Sequence, residues 1–270
     1  MDSALSWRRI HVDRLISLKN SVNLRELGDY PAADGKVIAS HKLLRSGSLS
    51  ELTPEDAVWL RKYGLNVVVD LRSDSEVAMS PDVLAPGVTY KHLSVYPLDN
   101  NGLVQKIGRH LRAHFDHRMD PMAEVYLKML TDPHANNVYR ELFSLLLGNP
   151  EPGRSVLFHC AAGKDRTGIG AMMIEGALGV PEATIREDYL LTNAVFFAPT
   201  EEVQAALKTG ASELVDRMNK NAAEASCYVA VKDLIDSDFG DWPHYVMQQL
   251  GFSATDLRDL RQLYLTDPHQ

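Results

Sequence analysis

The sequence predicts an α/β fold built on a largely parallel central sheet. Three observations carry that reading. Short β-branched or apolar runs alternate with helical patterns through the first two thirds of the chain, the arrangement that buries a parallel sheet between helices. One of these runs, Ser155-Val156-Leu157-Phe158, is short and apolar and leads through a brief loop into a long apolar helical pattern, as expected of a strand covered on both faces. The C-terminal third is helical in pattern.

Taken in order, residues 1–20 read as a weak helix. Asp34-Gly35 marks a hairpin-type turn between two short apolar runs. Thr53-Pro54-Glu55-Asp56 starts a helix: Thr53 caps it, Pro54 suits the first position, and the acids sit at the positive end of the dipole. Gly64 ends it. Leu65 to Leu71 is a β-branched strand and Val88 to Val95 a second, with Ser155 to Phe158 the third. The apolar stretch from Gly168 to Val180 reads as a buried core helix. Gly251 follows one further helix, and Ser253-Ala254-Thr255-Asp256 resembles the capping box of the last. Residues 99–122, rich in His, Arg and Asp, look like an inserted, lid-like segment, and 208–226 like a polar surface stretch. With no internal repeat and no Pro/Gly/Ser linker, the expectation is a single domain over residues 1–270.

Composition narrows the function classes. At 270 residues, with 45% hydrophobic and 24% charged residues, the chain is an ordinary globular protein and not collagen, a disordered tail or a disulfide scaffold. A net charge of −8 argues against nucleic-acid binding, which favours the opposite bias. Any anionic substrate must therefore meet a local positive site. Two cysteines, Cys160 and Cys227, cannot build a disulfide framework, so a reducing, cytoplasmic location is expected. The first residues show no apolar signal region, and no apolar run reaches the roughly 18 residues that span a bilayer.

Chemistry concentrates in His159-Cys160-Ala161-Ala162-Gly163-Lys164-Asp165-Arg166-Thr167-Gly168, between the strand ending at Phe158 and the helix beginning near Thr167. A strand–loop–helix turn aims backbone N–H groups into the loop and adds the positive end of the helix dipole, which makes an anion-binding nest. Gly163 permits the bend. A cysteine at the loop entrance has its thiolate stabilised by the same field. Arg166 can grip two phosphate oxygens through its planar fork, and Thr167 can hydrogen-bond the sulfur as a leaving group. Nucleophile, cradle and clamp are the parts that phosphoryl transfer through a cysteinyl-phosphate requires.

This segment resembles the HC-x5-R-(S/T) signature of the protein tyrosine phosphatase superfamily. The Lys164-Asp165 pair is similar to that of the atypical bacterial tyrosine and lipid phosphatases. Asn23-Leu24-Arg25-Glu26-Leu27-Gly28, Leu44-Arg45-Ser46, Asp70-Leu71-Arg72-Ser73 to Glu76, and Asp188-Tyr189-Leu190 to Asn193 resemble further elements of that family. Asp29 stands where relatives often carry a second Gly, a turn position that Asp tolerates. The resemblance implies a three-layer domain whose mixed, largely parallel sheet of four or five strands lies between helices. It implies hydrolysis of phosphate monoesters without metal or cofactor: Cys160 attacks, while Arg166 and the amides of Ala161, Ala162, Gly163, Lys164, Asp165 and Arg166 hold the oxygens. His159 orders the loop, supported by Thr167. The expected partners are a phosphorylated protein or a phosphoinositide, with phosphate or vanadate as inhibitor and the protein acting as a monomer.

The proton donor has two candidates. Asp99 follows the aromatic–Pro segment Tyr96-Pro97, where relatives place an Asp; Asp165 lies in the loop itself. Asp99 is the preferred acid, Asp165 the fixer of loop geometry, and Asp70 with Arg72 an internal polar network behind the loop. Two other signals carry less. His110, His114 and His117 fall on one helical face with Asp116 and Asp120 nearby, a metal-ligand spacing, yet Arg109, Arg112 and Arg118 make a solvated face the better reading. Gly168-Ile169-Gly170 lacks the third Gly of a dinucleotide loop, and Cys227 reads as structural. The alternatives to a phosphatase are a catalytically silent phospho-ligand binding module and a sulfur transferase or arsenate reductase. The latter type places its loop near the N-terminus, not at residue 160.

Overall fold

The computed structural model describes residues 14–16, 18, 20–98, 120–196, 223 and 225–268. In chain order its strands are β1 (Arg25–Glu26), β2 (Val37–Ile38), β3 (Leu43–Ser46), β4 (Leu65–Asp70), β5 (Thr89–His92), β6 (Ser155–His159) and β7 (Leu265–Thr266). Its helices are α1 (Pro54–Tyr63), α2 (Asp74–Met79), α3 (Pro121–Thr131), α4 (Pro133–Leu147), α5 (Arg166–Leu178), α6 (Glu182–Phe196), α7 (Ala225–Leu234), α8 (Trp242–Gln248) and α9 (Ala254–Tyr264). A π-helical turn, Ile235–Phe239, joins α7 to α8.

Five strands form one sheet in the order β1-β3-β6-β4-β5. β1 runs antiparallel to β3, and the remaining pairs are parallel. The mixed, largely parallel sheet expected from the sequence is therefore present. Alternation along the strands explains its two covered faces. Leu43, Val67, Val69, Val156 and Phe158 join the larger core beneath α3, α4, α5 and the C-terminal helices. Leu44, Val68 and Leu157, one position out of phase, join the smaller core beneath α1. The register then sets the site: Ser46 and Asp70 both pair with His159, so three parallel strands end level. A parallel sheet puts its ligand crevice at this carboxyl edge.

Local chemistry agrees with the elements. Thr53 and Asp56 form a reciprocal capping box on α1, with Pro54 in its first turn and Gly64 at its end. Ser253 and Asp256 do the same for α9. Asp34 and Gly35 both take positive φ, and Pro31 bridges to Val37 antiparallel across them, so the hairpin turn forms. Asp29 takes φ 62, the left-handed backbone that a glycine would have occupied. The core helix α5 crosses α8 closely. A Cβ on Gly176 would lie 2.1 Å from the Trp242 ring, so only glycine fits there.

Two expectations need correction. Leu15, placed in a weak helix, instead bridges antiparallel to Arg25: the hydrogen bond between strands outweighed a marginal helical propensity. The strand expected over Val88–Val95 is regular only at Thr89–His92, although Leu93 and Val95 still donate to Asp70 and Leu71 carbonyls. The helix expected over 1–20, the lid-like segment 99–122 and the polar stretch 208–226 fall largely outside the described residues.

Candidate active site

The loop from Cys160 to Asp165 joins the end of β6 to the first turn of α5. The carbonyls of its first four residues are each held by a hydrogen bond. Cys160 O accepts from His159 Nδ1 at 3.1 Å, Ala161 O from Ser48 N at 2.8 Å, and Ala162 O from Asn23 Nδ2 at 3.1 Å. Gly163 O accepts from Asn23 Nδ2 at 3.0 Å and Arg45 Nη2 at 2.8 Å. In a trans peptide the N–H of the next residue points opposite to the carbonyl. Pinning these carbonyls outward therefore turns the N–H groups of residues 161–164 inward, which builds the nest from its outer side. Gly163 sits at φ 67 with Ser46 directly behind it, 2.5 Å from where a Cβ would be.

Cys160 is 1% exposed. Burial alone pushes its thiol up, but the Arg166 guanidinium and the Thr167 hydroxyl and amide outweigh it, so the thiol lies below its ordinary value. The Thr167 hydroxyl, buried without another partner among the described residues, is close enough to the sulfur to favour the thiolate. Arg166 is clamped by Glu76 of α2 through a two-pronged pair, Nη1 to Oε2 at 2.6 Å and Nη2 to Oε1 at 2.9 Å. Its Nε is buried without a partner among the described residues, a donor left over for an oxyanion. The Tyr96 ring lies 5.1 Å from the guanidinium. Burial disfavours the Arg166 cation, yet the Glu76 carboxylate holds it charged and burial-resistant.

Behind the loop lies a second charged group. Arg72 donates to both oxygens of Asp70, to Asp82 Oδ1 at 2.9 Å and to Ser48 Oγ at 2.9 Å. His159 Nε2 lies 2.9 Å from Asp82 Oδ2 and 3.8 Å from Asp70 Oδ1. Burial lowers the His159 pKa, but Asp82 and Asp70 together raise it above its ordinary value, and the protonated ring can serve both the carboxylates and the Cys160 carbonyl. Asp70, Asp82 and His159 are close enough to hold a cation, but Arg72 already fills the space between the carboxylates. The arrangement is an ion-pair network supporting the loop.

Asp165 is buried on the loop's floor. Its Oδ1 accepts from Tyr126 Oη at 2.6 Å and its Oδ2 lies 3.6 Å from Lys164 Nζ. The structure thus gathers His159, Cys160, Ala161, Ala162, Gly163, Lys164, Asp165, Arg166, Thr167, Asp70 and Arg72 in one place. Asp99 lies outside the described residues, as do His110, His114, His117 and their neighbouring arginines. Cys227 is buried in the main core.

A family model described as the tyrosine phosphatase family matches residues 16–266. The chain belongs to the tyrosine phosphatase family. A protein of Cupriavidus necator, whose name places it among the tyrosine-protein phosphatases, is 30% identical over 240 residues, 87% of this chain and 84% of that one. A tyrosine-protein phosphatase of Nostoc commune is 32% identical over 164 residues, 60% of this chain and 52% of its own. The triple specificity protein phosphatase PtpB of Mycobacterium tuberculosis is 29% identical over 196 residues, 65% and 68% of the two chains. This chain is a cysteine-dependent phosphatase acting on phosphorylated substrates. No described helix is long and apolar enough to cross a membrane.

Glu76, Asp82, Ser48 and Asn23 are the contributors that sequence reasoning left without a role. Glu76 and Asn23 stand inside motifs quoted above, so a signal existed. Asp82 and Ser48 carry none, because neither lies at a fixed spacing from the loop.

Proposed function

We propose that the protein hydrolyses phosphotyrosine and also phosphoserine or phosphothreonine and phosphoinositide monoesters. The observation that carries this reading is a buried thiol of lowered pKa inside a ring of inward-turned amides, beside an Arg166 whose Nε is unclaimed. Cys160 attacks phosphorus and forms an S–P bond as the P–O bond to the leaving group breaks. Arg166 and the amides of residues 161–166 hold the equatorial oxygens. Asp99 donates the proton to the leaving oxygen, and the same carboxylate then draws a proton from water as that water breaks the S–P bond and frees the thiolate. Tyr96 leans on Arg166, so the aromatic–Pro segment that precedes Asp99 in the sequence packs against the loop. Asp165, tied to Tyr126 and beside Lys164, fits the role of fixing the loop.

The protein is read as a single catalytic domain and a monomer of the cytoplasm, inhibited by phosphate and vanadate. Release of inorganic phosphate from a phosphotyrosine peptide, a phosphoserine peptide and a phosphoinositide tests the range. Lys164→Ala is expected to harm the phosphoinositide more than a small aryl phosphate; equal losses would confine Lys164 to shaping the loop. Absence of turnover with all three substrates, alongside intact phosphate binding, would instead make the protein a binding module.

A further inference from the structure

Asn23 lies 139 and 140 residues from the loop carbonyls it touches and reaches no reacting atom. Nevertheless its single side-chain amide holds two successive carbonyls, those of Ala162 and Gly163, at 3.1 and 3.0 Å. The orientation of the amide is settled by its other end. Asn23 Oδ1 faces Arg25 Nη1, and a guanidinium can only donate, so Nδ2 must be the end that faces the loop. Asn23 itself takes φ 53, a left-handed backbone that Asn adopts more readily than most residues.

The anchor continues inward. Arg25 Nε donates to Asp188 Oδ1 at 2.8 Å and its Nη2 to the Asp188 carbonyl at 2.9 Å. Asp188 Oδ2 accepts from Arg45 Nη1, while Arg45 Nη2 donates to the Gly163 carbonyl at 2.8 Å. Tyr30 Oη completes Asp188 at 3.2 Å. The circuit therefore closes: loop, Asn23, Arg25, Asp188, Arg45 and loop again, with every side chain in it buried. Arg45 Nε is the one atom of these side chains without a partner among the described residues, and a buried polar circuit so nearly satisfied holds a single geometry, because any departure strands a charge or a donor away from water.

We propose that Asn23, seconded by Arg45, is a positioning residue for catalysis: by pinning the Ala162 and Gly163 carbonyls outward it turns the amides of Gly163 and Lys164 onto the substrate phosphate. This rests on the reading of the loop as the phosphate cradle. Release of the Ala162 carbonyl frees its peptide to rotate, which removes the Gly163 N–H from the cradle and weakens the field on the Cys160 thiolate, while the Gly163 carbonyl keeps only its bond from Arg45. The consequence extends to both binding and nucleophile activation, whereas a merely structural contact would lower stability alone.

Asn23→Asp separates the two. The carboxylate keeps the acceptor that Arg25 uses and tolerates the left-handed backbone, but it removes the donor and sets an oxygen against two carbonyls. Wild type and variant are compared by hydrolysis of p-nitrophenyl phosphate, by orthovanadate affinity, by the pH midpoint of Cys160 alkylation with iodoacetamide, and by thermal unfolding. The expected result is a kcat at least tenfold lower, vanadate affinity at least tenfold weaker and an alkylation midpoint moved to higher pH, with cooperative unfolding retained. A folded Asn23→Asp with vanadate affinity and alkylation midpoint unchanged overturns the proposal. If Asn23→Asp does not fold, Asn23→Gly, which deletes the donor and accepts the same φ, is read by the same four measurements against the same criteria. Failure of wild type to bind vanadate or turn over the aryl phosphate would strike the cradle itself, a result distinct from a silent substitution at Asn23.

Discussion

Glu76→Gln offers the sharpest test of how the arginine is aimed. Glu76 spends its two oxygens unequally. Oε2 accepts from Arg166 Nη1 at 2.6 Å and from the Ser73 amide and hydroxyl, both at 2.8 Å, while among the described residues Oε1 accepts only from Arg166 Nη2 at 2.9 Å. A glutamine can put its carbonyl where Oε2 was, which keeps the α2 cap and one prong of the fork. Its NH2 then faces Arg166 Nη2, donor against donor. The pair is 2% and 0% exposed, so water cannot take over the lost contact. One charge-assisted hydrogen bond is worth about 1.5–3 kcal/mol, and at about 1.36 kcal/mol per decade this is roughly one to two decades in rate if the guanidinium swings to recover it. The expected outcome is a ten- to hundredfold fall in kcat/KM for p-nitrophenyl phosphate, with a cooperative thermal transition preserved. A folded Glu76→Gln enzyme within about threefold of wild type, well inside one decade, would refute the claim that Glu76 sets the direction of Arg166.

Three further outcomes follow from the same geometry. Iodoacetamide is expected to modify Cys160 below the pH range of an ordinary thiol and to leave the core residue Cys227 untouched, with vanadate protecting Cys160; peptide mapping reads this directly. Gly163→Ala places a Cβ 2.5 Å from Ser46 at φ +67, whereas Gly153→Ala at φ +68 meets nothing within 4 Å; the first is expected to abolish vanadate binding and the second to leave it intact, as titration would show. His159 has a folded pKa raised by Asp82 and Asp70. Its contribution is therefore fully present below the unfolded value of about 6.5 and lost as pH rises through the folded value. Thermal unfolding across this window is expected to show His159→Gln farthest below wild type on the acid side of it, with the gap narrowing toward alkaline pH; a gap that widened there would reverse the sign assigned to His159.

The legibility of this chain in its sequence follows contiguity. The phosphate loop is continuous, and its parts occupy fixed positions after one strand and before one helix, so residues 159–168 declare their chemistry without the fold. Capping boxes are equally local, which is why α1 and α9 begin where Thr53 and Ser253 place them. The support around the loop is a different matter. Asp82 meets His159 and Arg72 only because β4 and β6 lie side by side with Asp70 opposite His159, and no spacing along the chain encodes that meeting. The strands β1, β2 and β7 have two residues each, too few for any alternation to register, and are fixed by partners distant in the chain. Glu76 was visible inside a motif, yet its service to Arg166 became apparent only once α2 was seen to lie across the loop.

The circuit through Asn23, the network around Asp82 and the Glu76 fork tie the loop to segments 139, 77 and 90 residues away in the chain. Contacts of such long range form late in folding, because the entropy of closing long loops must be met before they return anything. The reactive sulfur is thus a product of the completed molecule. A nascent or partly unfolded chain carries an ordinary thiol, neither acidified by Arg166 nor ringed by amides, and it can neither cleave a phosphate nor readily attract an oxidant. Danger to bystander phosphates and vulnerability to peroxide are acquired together, at the moment the enzyme has a complete structure to govern both.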